Sequence, residues 1–91
     1  MESKFLQALQ QATQNAADLG VRIRAVENME QAHRILSGHK ESDGFTHLTR
    51  LRRLDLSIEA LAVKKQFTAL FNDEEANNAL MRLMDAGYTF K

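Results

Sequence analysis

The apolar positions of this chain recur mainly at spacings of three and four between short polar stretches, a pattern that predicts a series of short amphipathic helices. The clearest lies between Asn72 and Gly87. Asn72 can cap its first turn and Glu75 can reach back to the cap, while Gly87 can close the far end in the left-handed conformation. Ala76, Leu80, Leu83 and Met84 supply its apolar face.

Phe5, Leu9, Ala12, Ala16 and Leu19 alternate spacings of four and three, which predicts a helix from about Ser3 to Leu19, ended by Gly20. Val21 to Val26 then alternates apolar and polar residues, the period of a half-buried strand. A strand needs a partner for its backbone groups. Tyr88-Thr89-Phe90 is the other candidate, so a minor two-stranded β element of 21–26 with 88–90 is expected. The competing reading runs 21–26 into the next helix.

Asn28 with Gln31 repeats the capping-box pattern and opens a helix to Leu36, with Met29, Ala32 and Leu36 on one face. Residues 37–44 are polar, hold Gly38 and Gly44, and read as a loop. A helix follows from Phe45 to about Leu54, with Phe45, Leu48 and Leu51 inward and Arg50, Arg52 and Arg53 at its edge. Ser57 caps a helix expected to reach Phe71. Its apolar arc is wide: Ala60, Val63, Phe67 and Leu70 form one stripe, and Ile58, Leu61, Ala62 and Ala69 another. Such a helix is packed by neighbours on both sides. A short Asn72–Asp73 turn folds the last helix back on it as an αα-hairpin. The expected fold is mainly α: a compact bundle of four or five short helices around a C-terminal hairpin of 57–87. It forms a single domain over 1–91, with an N-terminal helix and strand in 1–36, a loop at 37–44 and a helical core unit at 45–87.

Composition narrows the classes further. Cysteine is absent, which excludes a disulfide framework, a thiolate nucleophile and a thiolate metal site. No apolar run approaches the roughly 20 residues of a membrane span, and the first twenty residues lack the apolar core of a signal peptide. A cytoplasmic protein without a membrane partner is expected. Twelve basic and twelve acidic residues cancel, so the electrostatic signature of nucleic-acid binding is missing from the net charge.

Candidate chemistry is sparse. His33, His39 and His47 are spaced six and eight apart, which puts no two imidazoles on one helical face. No nucleotide-binding glycine loop or serine-nucleophile motif occurs, and no cofactor, metal or catalytic residue is expected. Asp73, Glu74 and Glu75 complement the dipole at the start of their helix. Two surfaces remain. Phe67, Leu70 and Phe71 with Met81 and Met84 offer more aromatic and methionine surface than one hairpin face readily buries, which suggests docking of another protein or a second copy of the chain. Arg50, Arg52, Arg53, Lys64 and Lys65 form a basic rim. Asn77, Asn78 and Arg82 on the last helix have the chemistry to read base edges if that helix is the third of a helix-turn-helix. The leading expectation is therefore a non-catalytic interaction or regulatory protein, acting through an apolar helical face rimmed by basic residues. The alternative is a helix-turn-helix DNA-binding regulator.

Overall fold

The computed structural model describes residues 1–88 and contains five α-helices: α1 (Glu2–Asp18), α2 (Met29–Ser37), α3 (Phe45–Leu51), α4 (Ile58–Ala62) and α5 (Asp73–Asp85). Two single 3-10 turns, Leu54–Leu56 and Thr68–Leu70, lie between them. The local signals work where they stand. Asn72 Oδ1 accepts from Glu75 N at 2.8 Å and Glu75 Oε1 accepts from Asn72 N at 3.0 Å, completing the capping box of α5. Gly87 has φ +80°, and the Gly87 and Tyr88 N–H groups return to the carbonyls of Met84 and Leu83. Ser57 Oγ accepts from Ala60 N and donates to Leu54 O, so one hydroxyl joins the 3-10 turn to α4. At α2 the capping box is shifted: Asn28 caps Gln31 N, but Gln31 Oε1 accepts from Glu27 N, one residue before the cap.

The expected helices of 45–54 and 57–71 are both shorter, for one physical reason. Ala60 and Leu61 are buried, and a continuing helix would stack Lys64 and Lys65 on the same inward face four residues later. The chain instead leaves the helix after Ala62, exposes 64–66, and returns Phe67 and Phe71 to the core. The hairpin connection therefore spans 63–72 rather than a two-residue turn. Likewise, a continued α3 would place Arg52 over buried Leu48. The helix stops at Leu51, which is left 41% exposed, and the next turn buries Leu54 and Leu56.

Arg52 itself adopts the left-handed conformation at φ +57°, with the Arg52 and Arg53 N–H groups bonded to Thr49 and Leu48 carbonyls. Glycine is the usual residue there, because a Cβ costs about 1–2 kcal/mol in that region. Allowing for glycine's greater freedom in the unfolded chain, Arg52→Gly should raise stability by about 0.5–1 kcal/mol. A higher urea midpoint at unchanged slope would show it; a lower midpoint would mean that the arginine side chain contributes contacts of its own.

The core runs continuously from Phe5, Leu9, Ala12 and Ala16 of α1 through Leu36, Leu48 and Leu61 to Ala79 and Leu83 of α5. At its α1 end, the Phe5 ring meets Phe67 and Phe71 edge-on, with centroids 5.2 and 5.1 Å apart.

The expected β element does not form. Among the described residues no strand is present, and Val21–Glu27 is an unpaired run without helix, turn or bend. Thr89 and Phe90 of its expected partner lie outside the described residues. The alternation holds only at its start, with Val21 buried and Ile23 half-buried; it breaks at Ala25, which is exposed while Val26 is half-buried. At Gly44 the approach is close enough that a Cβ there would lie 2.9 Å from Ile23 Cγ1 and 3.2 Å from Val21 Cγ1.

Candidate functional site

α5 presents a polar stripe to the interior. Glu75, Ala79 and Leu83 are its buried positions, and Asn78 and Arg82 flank them. Arg82 Nη1 lies 3.3 Å from Oε2 of Glu59, a carboxylate of α4 that is fully buried. The same guanidinium donates to Ile35 O and to Gly38 O, and Asn78 Nδ2 donates to Leu36 O. Gly38 does not turn left-handed at the end of α2, so the last carbonyls of that helix are capped from a neighbouring helix by these two side chains. Glu59 also accepts from Ser42 N at 2.9 Å and from Ser42 Oγ at 2.6 Å. The loop of 38–44 is thereby tied to the core at both ends.

A second cluster joins α2 to α5. His33 Nδ1 donates to the Glu75 carboxylate, 2.9 and 3.0 Å from its oxygens, and the His33 ring meets Phe71 edge-on. Among the described residues every buried side-chain nitrogen or oxygen has a hydrogen-bond partner. These interior polar groups hold elements together, and the half-exposed His33 ring does so through Nδ1.

Above the first cluster lies a cleft of about 1070 Å³, bounded by 23–26, the second half of α2, the 38–43 loop and 56–58. Buried Leu9, Leu56 and Ile58 and half-buried Ile23, Val26 and Ile35 make its floor apolar. The rim is charged. Arg24, Arg34 and Lys40 stand with Glu41 and Asp43, and Asp43 Oδ2 accepts from the backbone N–H of Arg24 at 2.7 Å.

The structure separates the surfaces expected from the sequence. Phe67 and Phe71 are core residues and Leu70 is half-buried, whereas Met81 and Met84 are 61% and 66% exposed, so these five side chains do not make one docking face. α5 is rotated from its expected seating because Glu75 finds a partner in half-exposed His33 and Arg82 finds one in buried Glu59. Asn78 and Arg82 consequently turn inward, and of the three candidate base readers only Asn77 is exposed. Arg50, Arg52, Lys64 and Lys65 are exposed. Arg53 pairs with Asp55, whose hydrogen bond and then charge raise the guanidinium pKa above its ordinary value. The Tyr88 hydroxyl is also raised, by burial first and by the charge of Asp55 second. No three His, Asp or Glu side chains among the described residues are grouped to hold a metal ion.

Helical periodicity does not mark the cleft, because two of its walls are a loop and a non-helical run. One signal for the network beneath it was present: Glu59 is the lone charged residue in the apolar stretch from Leu56 to Val63. A charge in such surroundings requires a buried partner.

Comparison of the chain with protein-family models, with curated proteins and with solved structures yields no match.

Proposed function

We propose that this chain is a non-catalytic interaction protein that receives a segment of a protein partner in the cleft between 23–26 and the 38–43 loop. The observation that carries this reading is the half-buried trio Ile23, Val26 and Ile35, apolar side chains left partly uncovered over a buried apolar floor. Apolar surface in a concavity gains from being covered, and charged groups at the edge orient what covers it. Met81 and Met84 are more exposed, but neither lines this cleft. The interior carboxylates and Arg82 support binding rather than chemistry, since their bonds are already spent on backbone and neighbouring side chains. No helix among the described residues is long and apolar enough to cross a membrane.

The test is affinity capture from native lysate with and without nuclease, comparing the natural chain with Ile35→Glu. The expected result is a stoichiometric protein that survives nuclease and is lost with Ile35→Glu, while circular dichroism shows unchanged helix content. A carboxylate placed in a docking pocket should weaken binding by about 2 kcal/mol or more. Capture unaffected by Ile35→Glu but lost with Met81→Glu would move the site to α5. Recovery of nucleic acid alone, removed by nuclease, would return the DNA-binding alternative.

A further inference from the structure

We infer that the cleft's occupant is an extended segment of alternating acidic and apolar residues that adds as a strand to the main chain of residues 22–26. This rests on the cleft reading and names its ligand class. Val21 N is bonded to Ala16 O, and Glu27 N to Gln31 Oε1. Between them Arg24 N alone is bonded, to the Asp43 carboxylate. The N–H groups of Arg22, Ile23, Ala25 and Val26 thus have no intramolecular partner among the described residues. Neither do the carbonyls of 21–26. An unbent run of free main-chain donors and acceptors beside a groove is the template that strand addition uses, with alternate side chains supplying specificity.

Those side chains define the partner. Ile23 is half-buried and calls for an apolar residue opposite it on the incoming strand. Arg22 and Arg24, two residues apart and so on one side of an extended run, are exposed and have no ion partner among the described residues. Carboxylates opposite them are favourable and cations unfavourable. This rule also disfavours a second copy of the chain: antiparallel registers centred on Ile23 or Arg24 set arginine against arginine. The nearby acidic groups do not cancel the preference. Asp43 is turned to the Arg24 backbone, Glu27 lies beyond the run, and Glu41 stands with Lys40 on the loop.

The probe is an acetylated, amidated heptapeptide of alternating glutamate and valine, titrated into the labelled full chain and followed by amide chemical shifts. Comparators are its lysine–valine counterpart and a glutamate–valine version with alternate amides N-methylated. The expected result is saturable shifts at 22–26. Binding should be at least tenfold tighter than for the lysine peptide, abolished by N-methylation, and weakened at least tenfold by Arg24→Glu. Equal binding of both charges, or indifference to N-methylation, would overturn the inference. If Ile23, Val26 and Ile35 still respond in that case, the cleft reading survives without it. If no peptide moves any cleft resonance, the inference is overturned, and capture insensitive to Ile35→Glu would then overturn the cleft reading as well.

Discussion

Glu59→Ala is expected to lower the free energy of unfolding by about 3–5 kcal/mol. For a chain of 91 residues, whose whole stability is of order 5–14 kcal/mol, that is a large share. The reason is the asymmetry of buried charge. Bringing the pair together gains little net, because desolvation of both ions offsets their attraction. Removing the carboxylate alone leaves the Arg82 guanidinium in a site where its side chain is only 9% exposed, and strips Ser42 of both its acceptors. Two further variants separate these effects. Glu59→Gln keeps an acceptor for Ser42 and should lose less than the alanine variant. Glu59→Leu with Arg82→Met removes both charges and should recover part of the loss, but not all, since Ile35 and Gly38 would lose their donors. Urea unfolding measures all three, and hydrogen exchange at Ser42 reports whether the 38–44 loop has come free. A loss under about 1 kcal/mol for Glu59→Ala would mean that water reaches the pair and that the loop is not held by it.

Phe5→Ala should cost about 3–5 kcal/mol, the usual range for a phenylalanine removed from a core. Phe5 is fully buried and touches Phe67 and Phe71 edge-on, so truncation removes two aromatic contacts and leaves a cavity between segments far apart in sequence. Its position makes the result diagnostic. A residue this near a helix terminus would ordinarily sit in a fraying turn. The structure makes it the point where α1 closes over the 63–72 connection. Urea unfolding of Phe5→Ala should therefore show the full loss, and amide exchange should rise throughout α1 rather than only in its first turn. A small loss confined to the first turn would show that α1 docks mainly through Leu9, Ala12 and Ala16.

Most of the local structure was legible in the residues. The Asn72–Glu75 capping box, the Gly87 stop, the Ser57 cap and the Phe5–Leu9–Ala12–Ala16 stripe each depend on groups within a few positions of one another. Backbone sterics and short-range hydrogen bonds decide such features, and both are properties of sequence neighbours.

Where helices end without such a signal, the deciding neighbour is distant. Nothing around Val63 or Leu51 stops a helix; what stops it is that the next turn would carry Lys64, Lys65 or Arg52 into surfaces already filled by other elements. The seating of α5 is likewise set by distant partners. Leu80, Met81 and Met84 outweigh Glu75 and Arg82 in any estimate of hydrophobicity, until His33 and Glu59 are known to be waiting for them. The cleft, with its apolar floor and unpaired main chain, exists only because a loop tied down by Glu59 lies against residues 21–26. By itself the sequence determined a helical chain and most of its helix starts and glycine stops, since these are settled between close neighbours. The tertiary structure alone decided which faces are buried and where an apolar cleft lies, because burial depends on residues tens of positions apart.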